Sequence, residues 1–173
     1  MIKRTLFALV ALAFLVPAAQ AGEKLTWRDC SKVFTWANAV EKSQTLDGRL
    51  CGEAWHLSYA RDGEDEFLGY VFRGSASAEG QRVNLLVGVK KTGEIAKVVV
   101  TDSGIVDAEF LAQFAGRTAK SDFSLAQSGD DLTTTPSMLK AMRDKEALSL
   151  AIANEVRAIL TSATGVSGML PTP

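Results

Sequence analysis

Hydroxyl side chains cluster just before the last long stretch with helical apolar spacing. Thr133, Thr134 and Thr135 come directly before Pro136, and Ser137 follows it. Thr-Pro is typical of a helix start, in which the threonine caps the helix and the proline takes its first position. The first turn of a helix also leaves backbone N–H groups unpaired and favours negative charge. The segment therefore predicts either an ordinary N-cap at Thr135 or a cradle for an oxyanion or phosphate.

Other side chains suited to catalysis or metal binding are few. The chain has one histidine, His56, and two cysteines, Cys30 and Cys51. There is no C-x-x-C pattern, and one histidine with two distant cysteines is too small a ligand set for a zinc or haem site. No nucleophile or orienting acid stands at a recognisable spacing from His56. We interpret His56 as a solvent-side strand residue rather than a catalytic base.

The N-terminus has the pattern of a secretory signal peptide. Lys3 and Arg4 precede an apolar stretch over residues 6–16, and Ala19-Gln20-Ala21 forms a small-x-small cleavage site. The apolar stretch is shorter than the roughly 20 residues that a spanning helix needs. We predict cleavage after Ala21 and export to the periplasm. Retention of the segment as an anchor is the alternative.

The rest of the chain is expected to form a single domain over residues 22–164, followed by a flexible tail over residues 165–173. The full chain has a net charge of −1, and no basic patch is interleaved with aromatic residues, so we expect no nucleic-acid partner. After the signal segment, no run of residues is apolar enough to span a bilayer, so we expect no stable membrane insertion. In an oxidising compartment, an even pair of cysteines is most simply a disulfide, so we predict a Cys30–Cys51 bridge.

Apolar periodicity predicts an α+β domain with a mainly antiparallel sheet and flanking helices. Two features indicate this class. The strands are short and joined by short loops, and the apolar residues have helical spacing near both ends of the domain. The predicted elements are a helix in 25–42, a turn-rich linker over 45–52, a strand in 53–63, a strand over 67–73, a loop over 74–81, a hairpin over 82–103, a short helix between Asp107 and Gly116, an irregular segment or edge strand over 122–131, and a final helix over 136–160.

Several of these segments resemble the FMN-binding domain family, which includes the G subunit of Rnf electron-transport complexes and the C subunit of the sodium-translocating NADH:quinone reductase. The first match is the strand "GYVF" at residues 69–72. The hairpin follows with "LLVG" at 85–88 and "GEI" at 93–95, and then the short helix "FLAQFAG" at 110–116. The resemblance covers most of the chain after the signal segment, and the order of its elements agrees.

In that family, the last threonine of a D-x-x-[ST]-G-A-T motif carries FMN through a phosphoester bond. In the same frame this chain has Asp131 as the leading acid, Thr134 at the [ST] position and Ser137 at the acceptor position. Thr135 and Pro136 replace the motif's glycine and alanine, which restricts the backbone. The resemblance therefore implies FMN held covalently through Ser137, or non-covalently, with Thr134 and Thr135 beside its phosphate.

The resemblance implies an exported FMN-binding protein that acts in electron transfer, as a flavin carrier or redox accessory protein. It favours such an electron-transfer protein over a stand-alone enzyme. Tyr70 is the candidate contact of the isoalloxazine ring. The expected partners are membrane or periplasmic redox proteins and a flavin transferase. The alternative is a flavin-free binding or adaptor protein that keeps the fold. A hydrolase is disfavoured because no nucleophile–base pattern is present.

Overall fold

The computed structural model describes residues 24–102, 104–126 and 137–165, and it confirms the predicted α+β fold with an antiparallel sheet. The predicted signal segment lies outside the described residues, as does the predicted tail beyond Gly165. In chain order, the elements are α1 (Trp27–Val33), β1 (Ala39–Leu46), β2 (Arg49–His56), β3 (Glu66–Ala78), β4 (Gln81–Lys90), β5 (Ile95–Val100), α2 (Ala108–Ala112), β6 (Leu125–Ala126), β7 (Leu139–Lys140) and α3 (Glu146–Gly165).

Strands β1 to β5 form one sheet in sequence order, and every neighbouring pair is antiparallel. Two of the connections are two-residue turns with positive φ at both central positions. Asp47 and Gly48 have φ of 48° and 76°, and Glu79 and Gly80 have φ of 51° and 76°. Such turns match the twist of the strands that they join. The five strands therefore follow one another as an up-and-down meander.

The predicted hairpin over 82–103 is confirmed as β4 and β5. The predicted loop over 74–81 is wrong, because these residues belong mostly to the long β3–β4 hairpin. In the turn-rich linker predicted over 45–52, the turn at Asp47-Gly48 is confirmed, but the residues on either side of it belong to β1 and β2. Small and polar residues fit these strand positions because exposed residues alternate with buried ones, as Ser77 does with Ala76.

The two faces of the sheet carry separate hydrophobic clusters. The larger lies under α2 and α3 and includes Phe72, Leu85 and Ile159. The smaller lies under α1 and includes Val33 and Leu86. Because strand side chains alternate between faces, neighbouring residues such as Leu85 and Leu86 belong to different clusters.

The first predicted helix is shorter than its apolar spacing suggests. It begins after Thr26, whose side chain forms a capping box with Asp29, and it ends at Val33. Phe34 has extended φ and ψ, and the chain enters β1 at Ala39. The prediction of a helix in 25–42 is wrong beyond Val33. The apolar spacing continues because Ala37 and Val40 pack in the same hydrophobic cluster as Val33 of α1, although they lie outside the helix.

The last helix begins later than predicted. Residues 137–145 contain a turn and the short strand β7, and α3 starts only at Glu146. Leu139 and Met142 have helical spacing, but β7 and the loop after it bury them. The prediction of a helix from Pro136 is therefore wrong over the described residues 137–145.

Candidate functional site

Three aromatic side chains form a chain of ring contacts on the α3 face of the sheet. The ring centroids of Trp55 and Phe67 are 5.2 Å apart, and those of Phe67 and Tyr70 are 5.1 Å apart. Trp55 faces Phe67 across the β2–β3 ladder, so the register of these strands creates the cluster. Trp55 and Phe67 are half-buried, whereas Tyr70 is 5% exposed. The cluster thus combines a buried ring with partly open aromatic surface.

Gly69 sets the backbone path that brings Tyr70 into this cluster. Its φ is +149°, and the β2–β3 register shifts at this point, between Ala54 and Trp55. A Cβ at Gly69 would lie 2.3 Å from the backbone oxygen of Val89. Backbone atoms cannot yield as a flexible side chain can, so only glycine fits.

A buried carboxylate lies beside the aromatic cluster. Glu53 is 8% exposed and faces Tyr70 across the β2–β3 ladder. Its Oε1 accepts a hydrogen bond of 2.9 Å from Lys42 Nζ, and its Oε2 accepts one of 3.2 Å from the Trp55 indole N–H. The charge is therefore paired and hydrogen-bonded, as buried charges must be.

Lys42 reaches Glu53 from a distorted edge strand. The β1–β2 register shifts between Glu41 and Gln44, and Lys42 has a φ of 46°. A non-glycine residue in this left-handed region is uncommon and is found at bulges and functional sites. The Lys42 side chain is 72% exposed, so solvent reaches one side of the ion pair.

The cluster changes the proton affinity of two of its groups. Burial raises the pKa of Tyr70 above its ordinary value, and the negative charge of Glu53 raises it further. The hydrogen bond to Glu53, followed by its charge, raises the pKa of Lys42. Tyr70 therefore stays protonated at neutral pH, and the carboxylate of Glu53 is the acceptor around which the other groups are arranged. We call Lys42, Glu53, Trp55, Phe67 and Tyr70 the aromatic–acid site.

A second carboxylate, that of the half-buried Glu155, lies on the same face, near the other end of the sheet. Glu155 of α3 accepts two hydrogen bonds of 2.8 Å from Arg49, one from Nε and one from the terminal guanidinium nitrogen. A Cβ at Gly74 would lie 2.4 Å from Glu155 Oε1, so the glycine leaves room for the carboxylate. This fork-to-fork pair joins α3 to β2.

Glu155 and Arg49 form one edge of a polar groove of about 1090 Å³. The groove also includes Arg73, which bonds Asp29 at 3.3 Å, and Asp102, whose Oδ2 accepts hydrogen bonds from Asn84. Arg49 with Glu155 and Arg73 with Asp29 are ion pairs, whereas Asp102 bonds a neutral amide. The groove is lined by side chains of both charge signs, so its charge does not favour a ligand of one sign.

The predicted Cys30–Cys51 disulfide is not formed, and both residues are buried free thiols. Cys30 belongs to the cluster under α1, and Cys51 belongs to the cluster on the opposite face of the sheet. A bridge would have to cross the sheet, so the prediction is wrong in this structure. Burial raises the pKa of Cys30 to about 12, and burial also raises the pKa of Cys51. Neither thiol is therefore a ready nucleophile.

The predicted phosphate-binding segment is only partly described. Asp131, Thr134 and Thr135 lie outside the described residues, and Ser137 is exposed in a turn. Ser137 does not stand in the first turn of a helix. Leu139, two residues further on, belongs to the same core cluster as Tyr70.

The hydroxyl in the first turn of α3 belongs instead to Ser149. It is fully buried, its Oγ donates to Lys145 O at 2.9 Å, and it accepts a hydrogen bond from Met142 N at 3.0 Å. Glu146 supplies a negative charge in the same turn. The bonding of Ser149 is internal, so this helix start has a structural role in fixing the loop before it.

His56 is half-buried at the end of β2 and contacts the backbone of the segment before β1. Its Nδ1 lies 2.8 Å from the backbone oxygen of Trp36, which requires that Nδ1 carry the proton. The predicted strand, however, ends at His56, and Tyr59 is 91% exposed instead of facing the core. The Asn38 side chain bonds Leu57 N and O and fixes the loop that follows.

Sequence reasoning predicted Tyr70 as a site residue but did not name the other members of the aromatic–acid site, which are Lys42, Glu53, Trp55 and Phe67. One signal was available: Cys51, Glu53 and Trp55 alternate on β2, so a charged residue had to lie on the face that buries its neighbours. Lys42 left no such signal, because its position depends on the irregularity in β1.

No protein-family model matches the chain, and no curated protein matches it either. Among the described residues, no group of three or more His, Cys, Asp or Glu side chains could hold a metal ion. In the same part of the chain, no helix has the length and apolar character needed to cross a membrane.

Proposed function

We propose that the chain is an exported, single-domain FMN-binding protein that acts in electron transfer, as a flavin carrier or redox accessory protein. The observation that carries this proposal is the aromatic–acid site, in which the tyrosine of the "GYVF" strand lies next to half-buried aromatic rings and a buried carboxylate. The α+β fold with an antiparallel sheet is the class predicted from the apolar pattern of the sequence.

The chemistry of this site suits a planar aromatic ring with polar edges. Trp55 and Phe67 offer aromatic surface on which an isoalloxazine ring would stack. Lys42 would donate a hydrogen bond to a carbonyl oxygen of the ring, and Glu53 would accept one from a ring N–H. When bound, FMN supplies the electron transfer, while the protein binds it, orients it and excludes water.

Covalent attachment remains part of the proposal through Ser137. Its exposed hydroxyl is accessible to a flavin transferase, and a serine forms the same phosphoester as a threonine. Thr134 and Thr135 would lie beside the phosphate, with Asp131 as the leading acid of the motif. Electrons would then pass to membrane or periplasmic redox proteins, which would bind transiently.

One observation favours a second function, that of a flavin-free binding or adaptor protein. The last helix begins at Glu146, so Ser137 lacks the helix N-terminus that would help to hold a phosphate. Thr135 and Pro136 also depart from the motif that a transferase would read. These differences leave the fold intact and remove features that flavin attachment uses.

Expression in a host that contains a flavin transferase separates the two functions. We expect a yellow protein whose intact mass exceeds that of the chain by one FMN less water, and we expect Ser137→Ala to lose the added mass. Ser77→Ala is the matched control, because Ser77 is exposed but lies on β3, away from the motif. A yellow protein with the bare-chain mass after denaturation would indicate non-covalent binding.

A titration with free FMN tests the aromatic–acid site directly. We expect quenching of flavin fluorescence by the wild-type protein and about fivefold weaker binding by Trp55→Leu, since a stacked ring contributes on the order of 1 kcal/mol. Trp27→Leu, on the α1 face, should bind as the wild type does. A colourless protein that leaves FMN fluorescence unchanged would contradict the flavin function and favour the adaptor.

A further inference from the structure

The edge of the sheet at β5 borders an apolar groove of about 460 Å³. The floor is formed by Val98 and Val100, and the opposite wall by α2 and the residues next to it, including Leu111 and Ala112. Alanines along this wall keep the space open. The volume is within the roughly 300–1,000 Å³ that ligand-binding clefts occupy.

The backbone of β5 presents unused hydrogen-bonding groups to this groove. Thr101 N donates to Asn84 O at 2.9 Å, so Thr101 faces β4. Strand residues alternate in direction, so Val98 and Val100 direct their N–H and C=O groups away from β4. No strand or loop of the part of the chain described here pairs with these two residues, and β5 is the last strand of its sheet.

The free part of the edge has defined limits. At its start, the loop after α2 already pairs with β5, because Gly116 N donates to Ile95 O and Ile95 N donates to Arg117 O, both at 2.8 Å. This pairing shows that the outer side of β5 accepts an added chain. Residues 97–100 then span about 13 Å of open edge, at roughly 3.3 Å per strand residue.

Charged residues at the two ends of the groove give the added chain a direction. Lys97 is exposed at one end and Asp102 is exposed at the other. Both hydrogen bonds that Asp102 accepts from Asn84 go to Oδ2. A strand added antiparallel to β5 has its C-terminal end at Lys97 and its N-terminal end at Asp102.

We propose that this β5–α2 groove binds an extended segment of a partner protein, which adds as an antiparallel strand to β5. The segment has apolar side chains at alternate positions, which enter the groove, an acidic residue at its C-terminal end beside Lys97, and a basic residue at its N-terminal end beside Asp102. Main-chain hydrogen bonds to Val98 and Val100 supply affinity, and the groove and the two charges supply selectivity.

The test uses the full mature chain and a fluorescein-labelled heptapeptide, Lys-Val-Thr-Val-Thr-Val-Glu, with blocked ends. We expect saturable binding in fluorescence anisotropy. Ala112→Trp, which fills the groove from an exposed position, should weaken binding about tenfold or more. Glu109→Trp is the matched control, because Glu109 is exposed on α2 and does not line the groove. A peptide N-methylated at its valines should not bind.

A charge exchange checks the direction of the strand. Lys97→Glu should weaken binding of this peptide by about tenfold. The same variant should bind normally to a peptide that has lysine in place of the C-terminal glutamate. Absence of binding to the wild-type protein, or equal loss in Ala112→Trp and Glu109→Trp, would overturn the proposal. Sedimentation of the protein without peptide measures its oligomeric state. A dimer that is lost in Ala112→Trp would overturn the proposal of a partner protein, because the groove would then bind a second copy of this chain.

Discussion

Two carboxylates on the same face of the sheet, Glu53 and Glu155, are held in different ways. Arg49 binds Glu155 through two parallel hydrogen bonds, and the side chains of this pair are 21% and 15% exposed. Lys42 binds Glu53 through one bond, and its side chain is 72% exposed. The first pair is a closed connection between a helix and a strand. The second is open to solvent at Lys42 and adjoins aromatic rings.

The same contrast appears in the glycines beside the two carboxylates. Gly69 lies next to a backbone oxygen and has a positive φ, whereas Gly74 lies next to the carboxylate of Glu155. We expect Gly69→Ala to lower the free energy of unfolding by about 3 kcal/mol or more, because backbone strain and a backbone clash act together. Gly74→Ala should cost about 1–2 kcal/mol, since the Glu155 side chain can rotate away.

Urea unfolding of the two alanine variants measures this difference. Gly80→Ala is a useful control, because its φ is +76° but a Cβ there would meet nothing within 4 Å. If Gly69→Ala lowers the free energy of unfolding no more than Gly80→Ala does, a small shift of the strands relieves the contact with Val89. Steric contact would then not be the reason for glycine at residue 69.

A pair of double-mutant cycles compares the ion pairs themselves. For Arg49→Met and Glu155→Gln we expect a coupling free energy of about 1–2 kcal/mol, because the bidentate pair is largely shielded from solvent. For Lys42→Met and Glu53→Gln we expect a smaller coupling that falls further in 1 M salt, since solvent screens the exposed Lys42.

Chemical denaturation of both cycles at low and high salt gives the four coupling energies. Equal coupling in the two cycles would contradict the distinction between a closed and an open pair. If the Lys42–Glu53 coupling proved insensitive to salt, solvent would not reach this pair in the way that the exposure of Lys42 implies.

The sequence predicted some of these elements well because their signals are local. The β4–β5 hairpin follows from two apolar runs joined by a turn at Gly93, whose φ is +85°. The start of α3 was missed because Leu139 and Met142 repeat with helical spacing, yet their burial depends on contacts that are distant in sequence. Leu125 pairs with Leu139 in a two-stranded parallel sheet, which no local pattern predicts.

The site shows the same division between local and distant causes. Tyr70 was predicted as a site residue because its strand resembles a motif of the FMN-binding domain family. Glu53 became part of the site only through the β2–β3 register, and Lys42 only through the irregular β1 strand. The predicted disulfide failed for a related reason, since the spacing of Cys30 and Cys51 says nothing about which face of the sheet each residue enters.

Titration of Tyr70 tests whether Glu53 acts on the aromatic cluster. The chain contains two tyrosines, so Tyr59→Phe leaves Tyr70 as the only phenol. Burial raises the pKa of Tyr70, and the charge of Glu53 raises it further, so we expect its phenolate absorbance to appear above the ordinary value of 10.0. Glu53→Gln removes a negative charge and should move the transition to lower pH, because ionisation of the phenol then meets less repulsion.

Glu155→Gln in the same Tyr59→Phe background is the matched control, because Glu155 does not contribute to the raised pKa of Tyr70. Its transition should coincide with that of the parent. A transition that moves equally in both variants would mean that the change arises from loosening of the sheet as a whole. A transition that moves only in Glu53→Gln ties this carboxylate to the ring that we propose to lie beside the flavin, and it does so without any flavin being present. The result therefore separates a failure of the site's electrostatics from a failure to bind FMN.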